Sequence, residues 1–352
     1  MKYYDNTRIG DYKTCPRKYL LRHEFDLVHE GNPLALTNGL CWHDAMDVVW
    51  TMVNARQPND QVLGAAMKRW VETWKEWGMD FPLTLEQQEK CAPRTPMIAA
   101  EMLTNYISQR GDFIRECELV AVEQPFAVKL YSDDTPIRYI GRFDKVVIHP
   151  NHGRLLIEHK TSSLYSKASG LRPDYIKSWS PNSQIDGYLH AANMIYENGV
   201  NGIWIDAALV HKTVHNVFKF IPIDRQFAQL DQWLYETRDW IQRIEDEKAR
   251  FGAGPGESDQ NYGGFPKNTG SCSMWAGCSY RDLCKFNPVP SNILSNHDGF
   301  KIEHWEPFDI LKIEELGLMP EKSNIAGIAI HSNSDETAIL KKLDKIAPDG
   351  EI

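Results

Sequence analysis

A chain of 352 residues with 42% hydrophobic and 25% charged residues can bury a substantial core, which excludes a disordered or low-complexity protein. Its formal net charge of −9 argues against a sequence-independent coat for nucleic acid, which needs a broadly basic surface, but leaves room for a local basic groove. No apolar run approaches the roughly 20 residues of a membrane span, and the start MKYYDNTRIGDYKTC has no apolar signal-peptide stretch. These features predict a cytoplasmic protein with no membrane partner, whose seven cysteines are thiols or metal ligands rather than disulfides.

Residues 1–24 read as an extended start followed by a helix, with Lys13, Arg17, Lys18 and Arg22 interleaved among Tyr12, Tyr19, Leu20 and Leu21. From Gly39 to about Arg110 apolar residues recur at spacings of three and four, which predicts helices. Pro93 and Pro96 mark Gln87–Pro96 as a loop. Alternation then replaces helical spacing. Glu118–Leu130, Arg138–His149 and Arg154–Thr161 read as strands, the last two joined by the turn signal PNHG. Ser183–Glu197 is helical, IWIDAALVH and NVFKFIPI form a further strand pair, and Asp224–Arg250 is a long amphipathic helix. FGAGPGESDQNYGGFPKNTG reads as a flexible linker; it lacks the lysine and the strand context of a phosphate-binding loop. The expected segments are 1–38, a helical lobe 39–117, a core 118–250, a linker and Cys-rich stretch 251–290, and a tail 291–352 with no assigned role.

The chemistry concentrates in the central strands. If the strands around PNHG form an antiparallel hairpin, Asp144 and Glu158 lie nearly opposite each other. Glu158 and Lys160 are two apart, so they project from one face. Two carboxylates and an ammonium on one patch suit a Mg²⁺ or Mn²⁺ site, with hard oxygen ligands for the cation and a lysine to position or activate water and stabilise negative charge. A solvated hairpin edge could carry the same triplet. The flanking Val146, Val147, Ile148, Leu155, Leu156 and Ile157 instead predict strands covered on both faces, where unpaired charge is costly.

GRFD, thirteen residues, EHK, and then Gln184-Ile-Asp-Gly-Tyr188 resemble the G-x-x-D, E-x-K and Q-x-x-x-Y motifs of RecB-like PD-(D/E)XK nucleases, and GLCWHDAMD resembles their G-x-x-x-H helix. The resemblance implies an α/β restriction-endonuclease-like core: a mixed central sheet flanked by helices, with an N-terminal helical elaboration and a C-terminal Cys-rich segment. It implies His43, Asp144 and Glu158 as metal ligands, Lys160 as the catalytic lysine, and Gln184 and Tyr188 as residues that contact substrate or brace the site. Glu123 stands on the preceding strand where related phage nucleases often carry an acid.

Cys272, Cys278 and Cys284 fall within 13 residues, and Cys15 precedes a proline near the other end. A C-terminal triplet with a distant Cys-Pro resembles the [4Fe–4S] staple of AddB-type nuclease domains and of nucleases associated with CRISPR adaptation. The common family spacing is C-x2-C-x5-C, and here the first gap is three residues longer. Structural Zn²⁺ on the same four thiolates is the alternative. Cys41, Cys91 and Cys117 lie in packed segments and are expected in the core. The resemblance thus implies a metal-dependent DNA nuclease, an exonuclease on single strands or duplex ends, in recombination, repair or phage DNA metabolism, with recombination or replication proteins as partners. Two other readings stay open: a catalytically idle iron–sulfur or zinc DNA-binding subunit on the same scaffold, and a metal enzyme acting on a small phosphodiester or nucleotide.

Overall fold

The computed structural model describes residues 2–31, 33–132, 135–252, 264–274, 277–295 and 297–307. Most of the glycine-rich linker (253–263) and the tail beyond residue 307 lie outside the described residues.

The chain starts with strand β1 (Lys2–Tyr4) and helix α1 (Asn6–Thr14), whose first turn is capped by the Asp5 carboxylate accepting from the Arg8 N–H at 2.7 Å. Cys15 is extended and ends that helix. Pro16, with its fixed φ and no N–H to lose, starts α2 (Pro16–Tyr19), which runs into a π turn over Leu20–Glu24. Strand β2 (Leu27–His29) follows. The four helices of the next stretch are α3 (Leu34–Asn54), α4 (Asn59–Glu76), α5 (Leu85–Cys91) and α6 (Pro96–Glu116). Helix α5 corrects the expected loop: Thr84 and Gln87 form a reciprocal capping box that starts a helix, and Pro93 ends it rather than preventing it.

Strands β3 (Glu118–Lys129), β4 (Ile137–His149) and β5 (Gly153–Ser162) match the predicted alternating segments. A small hairpin, β6 (Tyr165–Ser166) with β7 (Gly170–Leu171), and helix α7 (Pro173–Lys177) precede helix α8 (Ser183–Ile195). Strands β8 (Gly202–Leu209) and β9 (Phe218–Ile223) and helix α9 (Phe227–Gly252) follow, then α10 (Arg281–Phe286) and β10 (Phe300–Ile302).

The described residues divide into two compact units, one drawn from 2–31, 129–140 and 231–307, the other from 33–128 and 141–230. In the second unit β4 and β5 are antiparallel, with Lys145 opposite Ile157 and His149 opposite Gly153. Gly153 makes the turn with φ +68, and a Cβ there would collide with the Asn201 amide. β5 and β8 are parallel, and a parallel connection requires a crossover, which α8 supplies. β9 closes antiparallel on β8, and β3 pairs with β4. The result is the expected mixed sheet with flanking helices.

The core of this unit joins α3, α4 and α6 to the sheet through Trp42, Trp50, Trp70, Trp74 and Tyr106, all essentially inaccessible, with Val147, Leu155 and Ile157. Each buried aromatic removes roughly 150–250 Å² from water, about 4–6 kcal/mol at the usual coefficient before entropy is subtracted. The first unit buries Tyr4, Tyr19, Leu20, Tyr139 and Ile244. One of its clusters, Leu21, Leu27, Tyr280, Leu283, Ile293 and Phe300, lies around the short β2–β10 pair, and the Tyr280 hydroxyl donates to the Leu27 carbonyl at 2.6 Å. In the same unit β1 pairs parallel with the start of β4, Tyr4 opposite Tyr139.

Candidate metal centre and active site

The hairpin register makes Asp144 and Glu158 the next facing pair beyond Lys145 and Ile157, on the face opposite those two. Here the strands part, and the Asp144 carboxylate takes the place of a ladder carbonyl, accepting the His159 N–H at 2.7 Å. His43, from α3, brings Nδ1 to 3.2 Å from the same carboxylate. Glu123 completes the group: one ligand atom each from His43, Glu123 and Asp144 lies within 4.8 Å of the others. Glu123 has φ +50 inside strand β3, a left-handed conformation rare for a side-chain-bearing residue. Such a kink breaks the two-residue alternation and turns the carboxylate toward Asp144.

The electrostatics are those of a site with too much negative charge. Burial, reinforced by Asp47 and Asp144, pushes Glu123 up to about 8 despite Lys145 and Arg142. Burial also raises Asp144, but His43, Lys160 and Lys145 outweigh it and hold that carboxyl well below the usual range. Burial and the Asp144 charge raise Glu158 beyond what Lys160 offsets. A divalent cation among His43, Glu123 and Asp144 would supply the missing positive charge, and the donor set of one imidazole and two carboxylates fits Mg²⁺ or Mn²⁺.

Glu158 lies outside that group of three and is held differently. Lys160 Nζ donates to its Oε1 at 2.6 Å and Gln184 Nε2 donates to the same oxygen at 3.1 Å. Burial disfavours the Lys160 ammonium, but Glu158 and Asp144 more than compensate, so it stays a cation. The crossover helix α8 delivers Gln184, its first turn capped by Asn182 accepting from the Gln184 and Ile185 N–H groups. Tyr188, one turn on, packs edge-to-face on Phe126 and Phe143, ring centroids 5.6 Å apart in both cases.

Two buried polar groups beneath the site were not foreseen. Lys145, 0% exposed, points to the other face of β4 and meets Asp47 of α3 at 2.5 Å. Asp47 is one helical turn from His43, so this ion pair fixes α3 against β4 where His43 must reach Asp144. His159 also faces α3 and α6. Its Nδ1 is 3.4 Å from Asp206, which accepts from the Tyr106 hydroxyl at 2.5 Å, and Tyr106 in turn accepts from Trp50 Nε1 at 2.9 Å. Burial, with the nearby Lys145 charge, brings His159 down to about 4 although Asp206 opposes this, so it is a neutral imidazole here. A charge set against the apolar stretches VVI and VVW was the available signal for Lys145 and Asp47.

In the first unit Cys278 feels the charges of Cys15 and Cys272, and Cys284 those of Cys15 and Cys278, so the four sulfurs share one neighbourhood. Burial raises Cys284 to about 11. The Asn268 N–H donates to Cys15 Sγ at 3.3 Å, and the Cys278 N–H donates to the Cys272 carbonyl at 3.1 Å, tightening the first loop of the triplet. No three of the four sulfurs lie within 4.8 Å of one another. Cys41, Cys91 and Cys117 are buried, as expected.

The sequence model of the PD-(D/E)XK nuclease superfamily matches residues 6–285, a span that holds every residue of the candidate site and all four cysteines. No curated protein matches the chain. Among solved structures the chain is similar to a "Putative exonuclease" from Eubacterium rectale, at 12% identity and a TM-score of 0.40 over 69% of this chain and 80% of that one. Among the described residues no helix is long and apolar enough to cross a membrane.

Proposed function

The chain belongs to the PD-(D/E)XK nuclease superfamily, and from that membership we propose that it is a divalent-metal-dependent deoxyribonuclease, an exonuclease acting on DNA ends or single strands. The superfamily implies a metal-dependent hydrolase. The observation that carries the rest is the meeting of His43, Glu123 and Asp144 beside the Lys160–Glu158–Gln184 chain. His43, Glu123 and Asp144 would hold Mg²⁺ or Mn²⁺, with Glu158 the next carboxylate in reach. The ion supplies Lewis-acid stabilisation of charge on the phosphodiester. Lys160, kept as an ammonium by Glu158, offers a proton donor and a fixed positive charge to the phosphate. Gln184 holds Glu158 and so orients Lys160. Tyr188 braces β3 and β4 through Phe126 and Phe143. An idle scaffold has no use for an ordered lysine–carboxylate–glutamine chain, which favours the enzyme. End processing in recombination, repair or phage DNA metabolism, with recombination or replication proteins as partners, is the role that fits such an activity.

We infer that Cys15, Cys272, Cys278 and Cys284 hold a [4Fe–4S] cluster. Four thiolates match its ligand count. Structural zinc on the same four thiolates is the rival assignment. Protein with the cluster should be brown and carry about four irons per chain; colourless protein with one zinc overturns this assignment.

The test of the nuclease is incubation of anaerobically purified protein with end-labelled single- and double-stranded DNA and Mg²⁺ or Mn²⁺. Metal-dependent shortening from an end, abolished by EDTA, is expected. DNA binding without cleavage under any of these conditions would establish the idle subunit instead, and turnover confined to small phosphodiesters would establish the third reading.

A further inference from the structure

Between the catalytic lysine and the crossover helix lies a stretch that the metal site does not use. Residues 163–182, SLYSKASGLRPDYIKSWSPN, carry three basic residues, Lys167, Arg172 and Lys177, against one acid, Asp174, in a chain whose formal net charge is −9. Asp174 is bound by Arg172. Lys167 and Lys177 are exposed with no ionic partner among the described residues, as is Lys212 on the loop between β8 and β9. A locally basic strip on an acidic protein is the footprint expected for a phosphate backbone.

The same strip presents a prepared aromatic face. Tyr165, 37% exposed, packs at a tilt on His211, with ring centroids 4.5 Å apart and an interplanar angle of 38°. The His211 ring is oriented by its Nδ1, which accepts the Thr213 N–H at 3.3 Å. The hairpin beneath Tyr165 is seated firmly. Leu171 is fully buried, the Arg172 N–H donates to the Leu164 carbonyl at 2.9 Å, and Gly170, at φ +75, approaches Val217 so closely that no Cβ would fit. The strip reaches the catalytic lysine as well: the Tyr175 phenol of α7 interacts with the Lys160 charge, and Tyr175 packs edge-on against Trp179 at 5.8 Å.

A half-exposed ring packed at a tilt on a second ring, with exposed lysines two residues along the hairpin and next to His211 in the chain, suits a ligand that alternates flat π surfaces with negative charge. We propose that Tyr165 and His211, with Lys167, Lys177 and Lys212, form a platform for single-stranded DNA, on which a base stacks against Tyr165 while the lysines track its phosphates. Duplex DNA keeps its base faces covered by neighbouring pairs and gains nothing from the ring, so the platform selects single strands. This platform rests on the nuclease reading for its purpose but not for its existence.

The test is binding of a fluorescein-labelled oligodeoxynucleotide, as a single strand and annealed to its complement, measured by anisotropy in EDTA on the full chain. Tyr165→Ala should weaken single-strand binding by roughly tenfold or more and leave duplex binding and the melting temperature unchanged. Tyr165→Phe keeps the stacking ring and should bind like wild type. Lys167→Ala with Lys212→Ala should reduce the slope of log affinity against log salt by about 1.4 for the single strand. Unchanged single-strand affinity in Tyr165→Ala, or equal losses on both substrates, overturns the platform even if wild-type protein cleaves DNA. Tyr165-dependent strand binding by a protein that cleaves nothing would retain the platform and remove the nuclease.

Discussion

The proposed metal site of the second unit and the cysteine group of the first both gather candidate ligands into a small space, but on different kinds of backbone. His43, Glu123 and Asp144 hang on a helix and two strands, set above a layer of buried tryptophans and clamped by an internal ion pair. The cysteines come from the break between α1 and α2, the end of a 3₁₀ turn, the loop before α10 and α10 itself. In the proposed assignments the first set is positioned by regular elements before an ion binds. Three of the four cysteines stand where regular structure stops, so a bound cluster would supply part of the order there. Removing Mg²⁺ or Mn²⁺ should therefore silence activity without unfolding the protein, whereas losing the cluster should cost stability.

The sharpest break in that contrast would come from the ligands themselves. Asp144→Ala and Lys160→Ala should each lower metal-dependent cleavage by at least about a hundredfold, the usual scale for removing a charge-stabilising group, measured on variant protein that its circular dichroism shows to be folded. Substantial activity in either variant would move the chemistry elsewhere. Next in size is the clamp. Lys145→Met leaves the Asp47 carboxylate buried and unpaired and should destabilise the fold by about 3–5 kcal/mol. Adding Asp47→Asn removes the whole pair and should restore most of that stability, while the Mn²⁺ concentration for half-maximal cleavage rises because His43 is less firmly placed. If the double variant needs no more metal than wild type, the pair is structural only.

On the other side of the comparison, Cys15→Ser opens a tether closing a loop of roughly 250 residues and should cost a few kcal/mol, seen as several degrees in Tm together with loss of colour. Full stability and colour would exclude Cys15 as a ligand. The smallest effect is expected from Gln184→Ala, which removes one hydrogen bond to Glu158; a loss of about threefold to tenfold in turnover matches the ordinary value of such a bond. A loss as large as that of Lys160→Ala would mean that Gln184 touches substrate directly.

What the sequence disclosed follows the same division. The register that faces Asp144 with Glu158 was legible because strand alternation has a period of two and PNHG leaves the hairpin few ways to turn. The Asp47–Lys145 pair was not, because each stands near another charge, Asp44 or Asp144, with nothing to mark which is buried, and the two are 98 positions apart. The β2–β10 pair escaped for a related reason: three residues per strand are too few to show a pattern, and only the folded chain brings Phe300 to His29. Glu123 could be placed on its strand, but its left-handed backbone, which decides where the carboxylate goes, leaves no mark in the residue types around it.

That backbone has a practical consequence for engineering. Glycine at position 123 would adopt φ +50 freely, whereas the glutamate does so at a cost of order 1–3 kcal/mol. Anyone selecting for heat resistance alone should find Glu123→Gly among the early gains, and each such gain would remove an oxygen from the metal centre. Robustness and catalysis thus compete at a single residue, and a screen that scores only survival at high temperature would drift toward a sturdier protein with a weaker grip on its ion.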